Sequence, residues 1–302
     1  MEELALSTTR AYLAPESLDD LLAVLAQYGE DAKMLAGGQS LLVLLRQGLI
    51  MPTHLVSLRR IPELATWSFT ASDGMQLGAM VRQVDIERSE AVNRHYTALA
   101  EAAGSIATPQ VRNRGTIGGN LCHADPTADP PAALIALGAR ILIAGPDGQR
   151  QVPVESFFRD YMEVDLGDAE VLTAVLLPPP TPRSGSAYIK HRLREIDSAL
   201  VGAGVWLQLD EVGTRVVDVR IGLTGVGATP VRATGAEETL RGAVLTDDRV
   251  TDAGAAAAAG CEPFSDTEAS AWYRREMVSV LVQRAVRRAV ERATRASGSA
   301  RQ

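Results

Sequence analysis

Two short stretches of this sequence have the residue types to hold an anion on bare main chain. The first runs Leu35, Ala36, Gly37, Gly38, Gln39, Ser40, Leu41, Leu42. The second, about eighty residues downstream, runs Thr116, Ile117, Gly118, Gly119, Asn120. Paired glycines let the backbone approach a ligand closely. Exposed N–H groups in such a turn, above all one that feeds a helix, make a preorganised cradle for a pyrophosphate. Ser40 can add a hydroxyl to that anion or cap the following helix. One loop alone is better read as a tight turn capped by serine; two of the same character are harder to dismiss. Neither matches the Rossmann pattern G-x-G-x-x-G or the P-loop pattern G-x-x-x-x-G-K-S/T, so a nicotinamide fold or an ATPase lacks its signature.

The remaining candidates for chemistry are weaker. Asp125, Asp129 and Asp147 follow the second loop, with Glu155 beyond, but acids among Pro and Gly usually build turns; Asp129 alone is taken as functional. His123 flanks the loop, yet the other histidines, His54, His95 and His191, are scattered without metal-ligand spacing. Cys122 has no neighbouring thiol and reads as a small buried residue. No Ser–His–Asp or Cys–His arrangement can be argued, so no acid, base, nucleophile or metal ligand is assigned. Arg284, Arg287, Arg288 and Arg292 lie among glutamates on the last helix, which suits a solvated or subunit-contacting face.

The elements that must position the loops follow from periodicity. Ser17 opens an amphipathic helix with Leu18, Leu21, Leu22 and Leu25, stopped at Gly29. Residues 33–36 form a strand running into the first glycines, and LLVLL behind them a helical turn. Strands are expected at 54–58 and 75–79, and a helix from about Asn93 to Gly104. The stretch TPQVRNRGTIGGNLCHADPTADPP is too rich in Gly, Pro, Asn and Asp for a regular element. Asp129-Pro-Pro opens a helix. A hairpin at 140–144 and 150–154 and a strand at 171–177 follow. PPPTPRSGS reads as a linker, then three strands and a helical remainder. The tail from residue 297 is expected to be disordered.

Composition bounds the class. The 302 residues, 46% apolar and 22% charged, fit an ordinary globular protein of two domains. A net charge of −7 argues against a nucleic-acid partner. Two cysteines cannot hold an iron–sulfur cluster alone. The first residues lack the basic start and apolar run of a signal peptide, and no apolar stretch reaches bilayer length, so a cytoplasmic location is expected.

LAGGQSLL together with TIGGNLCHADPTADPPA, at this separation, resembles the FAD-binding medium subunit of the xanthine oxidase and carbon monoxide dehydrogenase family. PQVRNRGTIGGN, the strand ending in VLLP, the Y-x-K segment at Tyr188 to Lys190, IDSALVG and ASAWYRREMVSVLVQRAVRRA extend the likeness over nearly the whole chain. The resemblance implies an α+β fold: a two-lobed FAD-binding domain of the vanillyl-alcohol-oxidase (PCMH) type over 1–178, with lobes of about 1–58 and 59–178. A linker at 179–186 and a smaller α/β domain over 187–296, with a three-stranded antiparallel sheet and helices, would follow. It further implies that both loops line the pyrophosphate and ribityl, that Ile106 packs near the flavin or adenine, and that Asp129 accepts from sugar hydroxyls. Leu172 and Lys190 would approach the isoalloxazine ring. The chain departs from the family at Ser198, where many relatives carry an aromatic residue. The implied partners are a small subunit with two two-iron two-sulfur clusters and a large molybdopterin subunit, in a dimer of heterotrimers. NAD, a quinone or oxygen would take the electrons. Two rivals stand beside this: an autonomous flavin oxidoreductase, which would need a general base the sequence does not offer, and a flavin-free scaffold, which would not need the glycines.

Overall fold

The computed structural model describes residues 10–299, so the expectations for the extreme N-terminus and for residues 300–302 lie outside the described residues. The first lobe is built from β1 (Ala11–Leu13), α1 (Leu18–Tyr28), β2 (Ala32–Leu35), α2 (Leu41–Arg46) and β3 (His54–Ser57). Its sheet has the order β1-β3-β2 and is parallel throughout. Ser17 caps α1 by accepting from the Asp20 N–H at 3.1 Å, and Leu21 and Leu25 sink into a core with Val56, Ile61 and Leu64. Parallel strands need a crossover, and α2 with its preceding loop supplies it between β2 and β3. The first glycine loop therefore sits at the C-terminal end of a parallel strand.

The second lobe comprises β4 (Trp67–Thr70), β5 (Gly74–Gly78), α3 (Gln83–Arg88), α4 (Glu90–His95), α5 (Thr97–Gly104), α6 (Pro109–Arg112), α7 (Ile117–His123), α8 (Asp129–Ala136), β6 (Arg140–Gly145), β7 (Gly148–Pro153), β8 (Phe158–Asp160), β9 (Glu163–Val164) and β10 (Val171–Leu177). An antiparallel sheet of order β4-β5-β10-β6-β7 carries these helices, and β8 and β9 form a small separate pair. The helix expected from Asn93 to Gly104 is broken at Tyr96, whose backbone leaves the helical region and whose hydroxyl donates to Pro178 O at 2.8 Å. The second loop, expected to be irregular, contains two short helices. Thr108 and Thr116 each cap one through the side-chain oxygen, and capping outweighs the low helix propensity of the glycines.

The third unit is β11 (Ser184–His191), β12 (Val201–Leu209), β13 (Val216–Thr224), β14 (Val231–Arg232), α9 (Thr234–Leu240), α10 (Asp247–Ala259) and α11 (Ala271–Ser299). Its antiparallel sheet has four strands where three are expected; β14 is two residues long, too short to leave an alternating pattern. The connector is shorter than the expected 179–186, because Ser184 to Ser186 already pair with Gln208 to Trp206 of β12. The last helix continues to Ser299, past the expected start of the tail. Among the described residues no helix is long and apolar enough to cross a membrane.

Candidate functional site

The two glycine loops lie against each other. Gly37 sits so close to the second loop's approach that a Cβ there would fall 2.1 Å from Arg114 O, and a Cβ on Gly119 would lie 3.4 Å from the Ala36 methyl. Gly38 adopts φ +75°, a conformation that an L side chain resists. The second loop is pinned from beneath: Ile117 N–H donates to Val81 O and Gly118 N–H to Ala79 O, both at 2.9 Å. Buried Gln83 adds a bond to Thr116 O at 3.3 Å. Thr116, 3% exposed, closes the turn by accepting from Gly119 N–H at 3.1 Å.

What these loops leave unpaired defines what they can bind. Among the described residues, no protein acceptor takes the N–H groups of Gly37, Gly38, Gln39, Ser40 or Leu41. The Ser40 hydroxyl does not cap α2. Asn120 Oδ1 is buried without a partner. Buried polar groups are rarely left unsatisfied, so such an orphan beside a cradle points to a ligand. A cleft of about 680 Å³ opens beside the loops, lined by Ala36, Gly37 and Thr116 with Leu58, Ile61, Trp67 and Met80. Arg59, Arg88 and Arg114 also line it, with Arg82 there paired to Asp85, so the wall is positive on balance and favours an anion. These residues fit a dinucleotide with a pyrophosphate at its centre.

A second cluster gathers three of the other predicted residues. Asp129, the first residue of α8, is 4% exposed. Its Oδ2 accepts from Lys190 Nζ at 2.9 Å and its Oδ1 from the Tyr188 hydroxyl at 2.6 Å. Lys190 also donates to Ser105 O at 3.1 Å, which places it beside Ile106. Burial holds the Asp129 carboxyl above the usual carboxylate range, the attraction of Lys190 and the hydroxyl of Tyr188 offsetting only part of that penalty. The Tyr188 phenol is raised well above its ordinary value by the same burial and by the neighbouring carboxylate. Leu172 and Ile117, in contrast, turn their side chains into the core of the second lobe, so any approach of Leu172 to a cofactor is through its backbone.

Neither Cys122 nor His123 is set up for chemistry. Cys122 packs against the core, and burial pushes its thiol up to about 12. Burial lowers the His123 imidazole, with Asp125 opposing. Among the described residues no group of three or more His, Cys, Asp or Glu could hold a metal ion. Sequence reasoning missed Gln83, Tyr188 and the arginine-lined cleft. Gln83 sits in an ordinary helical stretch and carries no sequence signal. Tyr188 was visible as part of Y-x-K, but not its carboxylate partner, 59 residues away in sequence.

Two lobes bearing abutting glycine loops, open main-chain donors and a positively lined cleft define a flavin-dinucleotide-binding protein. The chain belongs to the FAD-binding medium subunits of molybdenum hydroxylases, components of oxidoreductase complexes. Residues 6–180 match the FAD binding domain in molybdopterin dehydrogenase, and residues 186–289 the CO dehydrogenase flavoprotein C-terminal domain. It is 39% identical to the carbon monoxide dehydrogenase medium chain of Hydrogenophaga pseudoflava over 91% of this chain and 95% of that protein. It is 35% identical to subunit alpha of the 6-hydroxypseudooxynicotine dehydrogenase complex of Paenarthrobacter nicotinovorans, over 93% and 95% of the two chains. The solved carbon monoxide dehydrogenase from Hydrogenophaga pseudoflava that lacks the Mo-pyranopterin moiety superposes with a TM-score of 0.90 at 40% identity, covering 94% of this chain and 98% of that one.

Proposed function

We propose that this subunit is an electron relay: it takes electrons from an iron–sulfur partner and passes them to NAD, a quinone or oxygen, while the organic substrate is oxidised on another chain. The observation that supports this reading is the set of N–H groups at Gly37 to Leu41 that, among the described residues, face no protein acceptor and so suit the pyrophosphate of a bound flavin dinucleotide. Bound FAD would supply the redox chemistry, stepping between two-electron and one-electron partners.

The protein's own residues hold and orient. Leu35 to Leu42 and Thr116 to Asn120 would cradle the pyrophosphate and ribityl, and Ile106 would pack near the flavin or adenine. Asp129 would accept from sugar hydroxyls, and Lys190 would stand near the ring with the backbone of Leu172. The partners proposed are a small subunit with two two-iron two-sulfur clusters and a large molybdopterin subunit, in a dimer of heterotrimers acting in the cytoplasm. Anaerobic stopped-flow spectroscopy of the co-expressed complex tests the relay. Substrate should bleach the iron–sulfur bands and the flavin band, and one of the three acceptors should restore both. Flavin that stays oxidised while the clusters are reduced would exclude a relay.

A further inference from the structure

We propose that Tyr188 is a positioning residue of the flavin site, fixing Asp129 so that Lys190 keeps a donor for the cofactor. This rests on the placement of Lys190 near the flavin given above. An ammonium has three N–H donors. Those of Lys190 go to Asp129 Oδ2 and Ser105 O, and among the described residues the third has no acceptor. How much of its charge reaches a ligand therefore depends on how far Asp129 neutralises it.

Tyr188 controls that balance. Its hydroxyl occupies Oδ1 of the carboxylate, disperses the negative charge and keeps Oδ1 from joining Oδ2 on Lys190. The ring is held for the task. Tyr188 is 2% exposed, its N–H donates to Glu101 Oε2 at 2.8 Å, and Arg292 grips both Glu101 oxygens, at 2.6 and 3.0 Å. Across the ladder, Gly202 leaves the phenol its space: a Cβ there would lie 2.3 Å from the hydroxyl. Arg192 also reaches Ser105 O, at 3.3 Å, and adds positive charge on the same side. In a site this dry the contest between one carboxylate and one ammonium is weakly screened.

Removing the hydroxyl leaves Asp129 free to clamp Lys190 with both oxygens. Less positive potential then remains to stabilise added electron density on a bound flavin. The test uses the flavin-loaded chain with Tyr188→Phe, Asp129→Asn and the double variant, read by midpoint-potential titration of the flavin absorbance, FAD per chain and thermal midpoint. Tyr188→Phe should keep its FAD and shift the potential to more negative values. Asp129→Asn should shift it the opposite way, and the double variant should match Asp129→Asn, because the hydroxyl acts through the carboxylate. An unshifted potential in Tyr188→Phe overturns the proposal. A chain that unfolds or sheds flavin on losing this one hydroxyl assigns Tyr188 a structural role and overturns it equally. A wild-type chain that binds no flavin sinks the flavin assignment itself, which the wild-type control reports separately.

Discussion

A Cβ at Gly37 would fall 2.1 Å from the carbonyl oxygen of Arg114, far inside contact distance, and the obstacle is main chain, which cannot rotate away. Gly37→Ala must therefore push the two loops apart, and the N–H groups of the first loop lose their aim. The expected outcome is FAD binding weakened tenfold or more, about 1.4 kcal/mol, with the lobes still folded because neither core is touched; a flavin titration alongside a circular-dichroism spectrum checks both halves of this. The importance of these glycines was legible in the sequence, since glycine pairs in a turn announce close approach. The partnership of Asp129 with Lys190 was not. It joins residues 61 positions apart, and only the packing of α8 beneath β11 brings them together.

At the scale of elements, the short strands and helices around the site are held in part by ion pairs far from it. Arg150 on β7 donates to both oxygens of Glu170 at 2.7 Å and to Asp165 at 2.8 Å, tying the β8–β9 pair to the start of β10. Hydrogen bonds from Arg159 and Arg150 hold the Asp165 carboxyl below its usual range, and Arg150 does the same for Glu170. Carboxyls depressed in the folded state contribute stability above their unfolded pKa of about 4, and that stability is lost as pH falls through the folded values. Arg150→Ala should thus cost on the order of 1 kcal/mol at pH 7, the pairs being partly exposed. It should also flatten the loss of stability below about pH 4, which urea unfolding at pH 7 and 3.5 would measure. Equal acid sensitivity in both chains would mean that other groups carry it. Periodicity revealed α1 and the long closing helix because each buries one regular face, and β10 showed instead as a continuous apolar run because it is the central strand of its sheet, buried on both faces. It failed at α7, where a threonine cap and packing on Ala79 make a helix from IGGNLCH. It failed also at β14, which exists only because β13 offers an edge.

Across the whole molecule, α8 is the shared wall. It opens with Asp129, forms part of the second lobe's core, and presses onto the third unit so tightly that a Cβ at Gly222 would lie 2.2 Å from Ala132 O. Thr224 adds bonds to Pro126 O at 2.7 Å and Ala128 O at 2.8 Å. The C-terminal sheet is thereby fastened to the helix that carries the acid, so β11 delivers Tyr188 and Lys190 to Asp129 at a fixed height. A two-part architecture was readable from the proline-rich connector, but this seam was not, since it rests on glycines in strands β12 and β13 that pattern alone treats as weak points. Flavin binding on the two abutting loops is tested most directly by purifying the chain co-expressed with its gene neighbours, recording its absorbance spectrum, and identifying any flavin released by acid. One FAD per chain, held at least tenfold more weakly in Gly37→Ala, is the predicted result; an assembled wild-type complex that releases no flavin on acid treatment would contradict it.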